Sequence, residues 1–146
     1  MYSVVECNGD IEPIRQHGID FMQDLCEEID HEYYIAQWRK FIDTGMGVVF
    51  YLVKNNVVVG GIGAIKVPNI FNGKTMLVEM FWYVNPKHRK AGLLLYDAME
   101  KYFEENKKLD RFAMIHMENS MPEKLKSFYV KKGFKLMETQ WIKGKI

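Results

Sequence analysis

The chain has 146 residues, of which 48% are hydrophobic and 27% are charged, a balance typical of a globular protein rather than a disordered one. This length suits one domain with a substantial core, so we expect a single domain over residues 1–146. The formal net charge of +1 argues against a dedicated nucleic-acid-binding protein, and nucleic acid is therefore not an expected partner.

Cysteine usage and hydropathy indicate the compartment. The cysteines Cys7 and Cys26 lack metal-ligand spacing, so we expect reduced thiols, a cytoplasmic location and no metal. The first residues lack the apolar core of a signal peptide. No apolar run approaches the roughly 20 residues that would cross a bilayer, so we expect no membrane partner.

The N-terminal part predicts one strand followed by two helices. Apolar and β-branched residues favour a strand over residues 2–7. Apolar residues then recur at helical spacing over residues 13–29, and a second helix is predicted over residues 33–42. The junction carries an acidic block without Lys or Arg: Asp24, Glu27, Glu28, Asp30 and Glu32. This block is either a solvated face or an acidic mouth that attracts a cationic amine.

The middle of the chain predicts an antiparallel meander of strands over residues 48–53, 57–67 and 76–84. Asn55-Asn56 is a tight-turn signal between the first two strands. Asn72-Gly73 predicts a hairpin turn of the favoured type before the last one. The second strand is interrupted by glycines, which predict a bulge or a close approach by another backbone: Gly60, Gly61 and Gly63.

The strand over residues 76–84 runs through a basic turn into a helix. Asn85-Pro86 ends the strand, and basic side chains follow it at residues 87–90. From Leu93 to about Glu105 the apolar spacing becomes helical. The first turn of a helix leaves backbone N–H groups unpaired and favours negative charge, and Gly92 lets a ligand approach the main chain. We interpret this stretch as a seat for a pyrophosphate.

The last third predicts a buried strand over residues 111–117, then a helix, then a last strand or pair of strands over residues 134–141 and beyond. Ser120 to Glu123 fits a capping box for the helix, and Gly133 is its stop. A helix separates the buried strand from the strand over residues 76–84, which implies a right-handed parallel crossover. The predicted fold class is α/β (α+β), with a single mixed, mostly antiparallel sheet that contains a central parallel crossover and is flanked by about four helices.

Two segments resemble motifs of the GNAT N-acetyltransferase superfamily, and the order of elements is similar to the GNAT fold over nearly the whole chain. Arg89-Lys90-Ala91-Gly92-Leu93-Leu94 resembles the Arg/Gln-x-x-Gly-x-Gly/Ala loop of that family, except that Leu94 replaces a small residue. The preceding Val-x-Pro-x-x-Arg pattern is present over residues 84–89. The segment over residues 128–134 resembles the family's Tyr-x-x-x-Gly-Phe.

The resemblance implies that acetyl-CoA is the co-substrate and that no metal is required. In the family the glycine loop holds the pyrophosphate, which implies a set of cofactor-binding residues here: Arg89, Lys90, Ala91, Gly92, Leu93 and Leu94. It also implies that a backbone N–H near Val84 polarises the thioester carbonyl. Asn119 would bond the pantetheine arm, although a helix-capping or loop-fixing amide is an equal alternative.

Two side chains are candidates for the chemistry. The resemblance implies that Tyr129 protonates the departing CoA thiolate; a helix residue with its hydroxyl in solvent is the alternative. Glu79, the only carboxylate on its strand, would have a raised pKa if buried, which suits a base that takes a proton from an ammonium. A solvated strand-end carboxylate is the alternative. Period-two alternation places Glu79, Phe81 and Tyr83 on one face.

The predicted function is therefore that of an acyltransferase, an acetyl-CoA-dependent N-acetyltransferase that acts directly on a primary amine of an unidentified acceptor. The acceptor is a small molecule or a peptide, and Tyr33, Tyr34 and Trp38 beside the acidic block would hold its amine. A second copy of the chain, in a homodimer, is a further candidate partner. The alternative function is a non-catalytic CoA-binding or protein-interaction module on the same fold.

Overall fold

A computed structural model of the chain describes residues 1–25, 28–115, 122–141 and 143–144. The chain divides into two compact units, Met1–Ile115 and His116–Ile146. The first unit contains a five-stranded sheet, and the second contains one described helix. A single domain over the whole chain stays a prediction.

The first unit alternates between sheet and helices. Its strands are β1 Tyr2–Glu6, β2 Gly47–Lys54, β3 Val57–Pro68, β4 Thr75–Val84 and β5 Leu109–Ala113. Its helices are α1 Glu12–Leu25, α2 His31–Asp43 and α3 Leu93–Glu105, with a 3₁₀ turn at Pro86–Ala91. The strands lie in the order β1-β2-β3-β4-β5; only β4 and β5 are parallel. The predicted mixed sheet with a parallel crossover is confirmed.

Each face of the sheet is covered by helices and has its own core. The face that α3 covers, called the α3 face, buries Leu52, Ile62 and Leu77 of the sheet beneath Leu95 and Met99 of the helix. The opposite face, called the α1/α2 face, has its own buried cluster: Ile11, Ile14, Ile35, Trp38, Val49, Tyr51 and Phe81. Burial of one such large side chain contributes about 1.5–3 kcal/mol, so the two layers together stabilise the sheet from both sides.

The two predicted hairpin turns have different outcomes. Asn55 and Asn56 both have positive φ, 52° and 63°, which is the conformation of a two-residue turn between antiparallel strands. At the second site only Gly73 has positive φ, 72°, and residues 69–74 form a wider loop. The predicted hairpin is present, because β3 and β4 pair antiparallel across this loop. Its turn is wider than the favoured type because the buried Asn69 organises the loop: its N–H donates to the carbonyl of Lys74, and its side chain accepts from the Phe71 N–H.

The glycines of β3 allow close contacts. A Cβ on Gly63 would lie 2.2 Å from a ring carbon of Phe81 and 2.8 Å from the ring of Trp38. A Cβ on Gly60 would lie 2.9 Å from the backbone oxygen of Tyr83. The predicted backbone approach is therefore found at Gly60, whereas at Gly63 the approaching groups are aromatic rings.

In the second unit, α4 spans Pro122–Lys131, and Gly133 follows it with φ of 90°, as predicted for its stop. The predicted strand over residues 134–141 is wrong, because these residues have no regular secondary structure. Leu136, Met137 and Trp141 are exposed there, so no burial offsets the entropy of ordering them. The predicted capping residue Ser120 and the end of the predicted strand over residues 111–117 lie outside the described residues.

His17 is a residue of α1 whose imidazole is buried against the sheet. Its Nδ1 is buried and has no hydrogen-bond partner among the described residues, and a Cβ on Gly61 would lie 3.1 Å from that atom. The rings of Tyr51 and Tyr83 lie edge-on to the imidazole, with centroids 6.5 Å and 6.0 Å away. Burial lowers the pKa of His17 to about 4, against an opposing effect of the Asp20 charge.

Replacement of His17 by Phe should remove part of the acid sensitivity of the fold. Because the folded-state pKa is about 4 and the ordinary value is about 6.5, the stability linked to a neutral His17 is complete above pH 6.5. It should fall as the pH drops through 6.5 towards 4, by about 3 kcal/mol in total. Denaturant unfolding between pH 7 and pH 4 measures this loss. Equal losses in the wild type and in His17→Phe would contradict the prediction.

Candidate functional site

The strand β4 is paired along one edge and only partly along the other. It pairs with β3 over its full length, from Thr75 opposite Pro68 to Val84 opposite Gly60. Its pairing with β5 ends where Val78 lies opposite Ala113. From Glu79 to Val84 the second edge of β4 therefore has no strand partner among the described residues. An open edge of this kind can bind an extended chain through its backbone groups.

A β-bulge at Met80 changes which face each residue of β4 occupies. Ala64 lies opposite Glu79 and Gly63 opposite Phe81, so Met80 has no counterpart in β3. Residues paired across a ladder share a face, which places Glu79 with Ala64 on the α3 face and Phe81 on the α1/α2 face. The predicted common face of Glu79, Phe81 and Tyr83 is wrong because the extra residue breaks the alternation.

Glu79 is a buried carboxyl group at the start of the open edge. It is 5% exposed, which excludes the alternative of a solvated carboxylate. Burial raises its pKa to about 8, and a hydrogen bond from the backbone N–H of Ile115 partly opposes this shift. A carboxyl group with this pKa exchanges a proton near neutral pH, as a general base or acid requires.

The open edge ends at Val84, beside Arg89. The N–H of Asn85 donates to the carbonyl of Val59 on the β3 side. Because backbone groups alternate sides along a strand, the N–H and C=O of Val84 point to the open side. The Val84 carbonyl accepts a hydrogen bond of 3.1 Å from Nε of Arg89. The guanidinium of Arg89 also lies 5.9 Å from the ring centroid of Tyr83.

The basic residues that follow β4 lie in the 3₁₀ turn. Asn85 begins the turn: its side chain accepts from the Lys87 N–H, and its carbonyl accepts from the His88 N–H. Lys87, Arg89 and Lys90 are exposed, whereas Ala91 is buried. The turn therefore presents cationic side chains directly before α3 begins, where backbone N–H groups lack partners within the helix.

Gly92 connects the 3₁₀ turn to α3 in a crowded position. Its φ of −59° suits any residue, but a Cβ would lie 3.2 Å from the Arg89 carbonyl oxygen and 3.4 Å from the Val84 side chain. Nε1 of Trp82 donates a hydrogen bond of 3.2 Å to the Gly92 carbonyl. Sequence reasoning did not select Trp82; its position two residues before Val84 on the same strand face was the signal.

Leu93 and Leu94 form the first turn of α3, and their side chains are 51% and 41% exposed. The next residues, Leu95 and Tyr96, are fully buried. The large side chain of Leu94 is thus accommodated in a helical conformation without occupying the core.

Two predicted site residues belong to the second unit. Tyr129 of α4 is 7% exposed, and the rings of Phe128 and Phe134 lie 5.9 Å and 5.5 Å from its ring. The Phe134 N–H donates to the Tyr129 carbonyl, so the segment past Gly133 folds back on the end of the helix. Asn119 lies outside the described residues. Glu79, Val84 and residues 89–94 all lie in the first unit.

The junction of α1 and α2 contains a cavity of about 280 Å³ lined by Ile19, Met22, Gln23, Glu28, Ile29 and His31. Nδ1 of His31 is buried and has no hydrogen-bond partner among the described residues. Among those members of the acidic block whose side chains the structure describes, Glu28 alone lines this cavity.

Asp30 and Glu32 of the acidic block and the nearby Trp38 have structural roles. Asp30 caps α2 by accepting from the Tyr33 N–H, and Glu32 pairs with Arg15 at 2.6 Å. Trp38 is 3% exposed, so its predicted contact with an acceptor is wrong; its ring packs against Phe41 and Phe81 in the core. Glu27 and the side chain of Asp24 lie outside what the structure describes.

Two further findings concern the described part of the chain only. It contains no helix long and apolar enough to cross a membrane. It also contains no group of three or more His, Cys, Asp or Glu side chains that could hold a metal ion.

Comparison with known proteins identifies the family. The model of the Acetyltransferase (GNAT) family matches residues 13–134, and the chain belongs to this family. Membership makes the protein an acyltransferase that uses acetyl-CoA as its acetyl donor. A search of curated proteins finds no significant match.

Solved structures confirm the GNAT fold. A predicted acetyltransferase of Clostridium acetobutylicum with acetyl-CoA is 14% identical, with 99% of this chain and 96% of that chain covered and a TM-score of 0.76. An aminoglycoside acetyltransferase from an uncultured soil metagenomic sample is 12% identical, with 100% and 99% covered and a TM-score of 0.76. A ribosomal-protein-alanine N-acetyltransferase of Brucella melitensis is 14% identical, with 99% of both chains covered and a TM-score of 0.74.

Replacement of Trp82 by Phe should destabilise the connection between β4 and α3. The variant loses the hydrogen bond to the Gly92 carbonyl and leaves a small void, which together should lower the free energy of unfolding by about 1–2 kcal/mol. Trp141→Phe is the matched control, because Trp141 is 92% exposed and its replacement should change stability by less than about 0.5 kcal/mol. Chemical denaturation measures both variants, and equal stabilities would contradict the prediction.

Proposed function

We propose that this acyltransferase moves the acetyl group of acetyl-CoA directly to a primary amine, with the 3₁₀ turn and the first turn of α3 as the pyrophosphate site. The observation that carries the proposal is the continuity of three features: the open edge of β4, the exposed cations of the 3₁₀ turn, and the start of α3. An extended pantetheine arm suits an open strand edge, and a diphosphate suits a cationic turn before a helix.

Specific residues would hold the donor. Leu93 and Leu94 would supply backbone N–H groups to the diphosphate, and Gly92, whose own N–H donates to the Arg89 carbonyl, would let the ligand approach the main chain. Arg89, Lys90 and the buried Ala91 would shape and charge the turn. Val84 lies where the open edge meets the turn, and Asn119 would bond the pantetheine arm, as the family resemblance implies. Leu94 is compatible with this role, because its backbone is helical in the first turn of α3 and its side chain is exposed.

The bound donor supplies the reactive thioester, and three groups of this chain would act on it. The Val84 N–H would donate to the thioester oxygen as negative charge develops there. Glu79 in its ionised form would take the proton that the ammonium loses, through a water, so that a neutral amine attacks the carbonyl carbon. Tyr129 would protonate the departing thiolate as the carbon–sulfur bond breaks, and the second proton lost by the attacking nitrogen would restore the phenol. This role rests on the sequence of residues 128–134.

The acceptor would enter beside the cavity between α1 and α2, with Glu28 as the charge that attracts its ammonium group. Both small-molecule and peptide amines are candidates, because structural relatives include an aminoglycoside acetyltransferase and a ribosomal-protein-alanine N-acetyltransferase. A cytoplasmic location and a homodimer stay predictions from the sequence.

Acetyl transfer is tested by thiol release from acetyl-CoA in the presence of a panel of amines: polyamines, aminoglycosides and peptides with free N-termini. We expect acetyl-CoA to raise the melting temperature and at least one amine to be acetylated. Tyr129→Phe should lower kcat by roughly 10²-fold and leave the KM for acetyl-CoA nearly unchanged, because only the proton donor is lost.

Thermal stabilisation, turnover and a nucleic-acid binding assay together separate the competing functions. Stabilisation by acetyl-CoA without turnover on any amine would favour a CoA-binding module and contradict the proposal. A strong, salt-dependent shift of DNA or RNA would favour nucleic-acid binding instead.

Replacement of Glu79 by Gln should remove one limb of the pH profile. Because the pKa of Glu79 is about 8, its ionised fraction rises with pH, so kcat of the wild type should increase through pH 8 and then level off. In the variant this limb should disappear with the same acceptor, and kcat should fall by about 10²-fold or more.

Stability gives a second measurement on the same variant. The raised pKa favours the protonated folded state, so the contribution of wild-type Glu79 is complete below about pH 4.5 and is lost as the pH rises through 8. Glu79→Gln should not show this decline. Glu105→Gln, at the exposed end of α3, is the control. If Glu79→Gln kept the wild-type rate and profile, Glu79 would not be the base.

A further inference from the structure

A contact between two residues that are far apart in the sequence links β1 to the 3₁₀ turn. The hydroxyl of Tyr2 lies 2.8 Å from Nδ1 of His88, and the two rings meet edge to face with centroids 5.8 Å apart. Tyr2 packs against the core of the α3 face, and Nζ of Lys54 lies 4.7 Å above its ring. The Tyr2 ring is thus held on several sides and can hold the imidazole in turn.

This contact determines which ring nitrogen of His88 can donate a hydrogen bond to a ligand. A neutral imidazole carries one N–H, and the partner of one nitrogen determines whether the other nitrogen is protonated. When the Tyr2 hydroxyl donates to Nδ1, the proton of His88 lies on Nε2, which then becomes a hydrogen-bond donor. The contact also restricts the rotation of the ring, so less entropy is lost when this donor binds a ligand.

The charge around His88 favours an anion. Lys87 and Lys90 are its neighbours in the turn, and Nζ of Lys54 lies over the ring of Tyr2, the residue that His88 contacts. None of these three lysines forms an ion pair with a carboxylate among the described residues. Their positive charge is therefore not neutralised locally, and His88 lies among them as a partly exposed donor.

We propose that His88 donates a hydrogen bond from Nε2 to a phosphate oxygen of CoA and that Tyr2 is the positioning residue that orients it. This inference rests on the proposed function, because it takes the 3₁₀ turn as part of the phosphate site. Tyr2 acts only through His88, so the hydroxyl of a residue in β1 contributes to the binding of a ligand at the end of β4.

Two replacements of His88 separate the effect of its Nε2 hydrogen-bond donor from the effect of its side-chain volume. The side-chain amide of Gln can occupy the position of Nε2, whereas the shorter Asn can replace only Nδ1. His88→Asn should raise the Kd for CoA about tenfold, the loss expected for one charge-assisted hydrogen bond. His88→Gln should retain most of the affinity. For acetyl-CoA, KM should rise in His88→Asn while kcat changes little, since the reacting groups are untouched.

Tyr2→Phe removes the hydroxyl and keeps the ring. As a single replacement it should raise the Kd for CoA about threefold. Added to His88→Asn it should raise the Kd no further, because the effects of two residues are not additive when one acts through the other. Tyr102→Phe is the control, since it removes a hydroxyl from a residue of α3 that packs against the same core as Tyr2. The melting temperature of each variant shows whether the fold is intact.

Fragments of the ligand identify the phosphate that His88 binds. Titration calorimetry with CoA, dephospho-CoA and pantetheine compares the wild type with His88→Asn. If the difference between them persists with dephospho-CoA and vanishes with pantetheine, His88 binds the diphosphate. If it already vanishes with dephospho-CoA, His88 binds the 3′-phosphate. Either result supports the proposal.

The contradicting results are distinct from a failure of the proposed function. Equal affinity of the wild type and His88→Asn for CoA, or an equal loss with pantetheine, would overturn the role of His88 while acetyl transfer by the wild type still stands. No binding of CoA by the wild type would overturn both proposals.

Discussion

The loss of pairing between β4 and β5 after Val78 is the constraint on which the proposed site depends. One edge of β4 stays bonded to β3 over its whole length, so the strand is fixed, while from Glu79 onwards no described residue pairs as a strand with its other edge. The bulge at Met80 lies at this point and changes the face that Glu79 occupies. A strand that is rigid on one edge and open on the other can align an extended ligand without first having to order itself.

The end of β4 continues this arrangement into the 3₁₀ turn. Asn85 holds the start of the turn, Arg89 returns to the last carbonyl of the strand, and Trp82 reaches the Gly92 carbonyl. Asn85 therefore fixes the beginning of the turn, and bonds to β4 fix it at Arg89 and at Gly92, directly after its end. Preorganised N–H groups and cations cost little to arrange when an anion arrives, which is why this geometry suits a diphosphate.

Local patterns in the sequence were sufficient for most of the fold. β-Branched and apolar runs predicted the strands, helical spacing predicted α1 to α4, and the Asn55-Asn56 pair predicted its turn. The sequence-based prediction failed where pairing with another strand determines the structure. Residues 134–141 have strand-like composition but form no strand, and the alternation through Glu79 is broken by Met80, which only the register with β3 shows.

The candidate site was predictable to a similar degree. The family motif predicts residues 89–94 and Val84, because they are adjacent in sequence. Trp82, His17 and the Tyr2–His88 contact were not predicted, because their roles depend on side chains that meet only in three dimensions. Trp38 was assigned to the acceptor since aromatic residues suit both cores and amine sites, and composition alone does not distinguish them.

A crystal structure with CoA bound tests the central claim most directly. We predict diphosphate oxygens beside Gly92, within hydrogen-bond distance of the backbone N–H groups of Leu93 and Leu94, with the pantetheine arm along β4 at Val84. A diphosphate bound elsewhere, or one displaced from this turn by the Leu94 side chain, would contradict it.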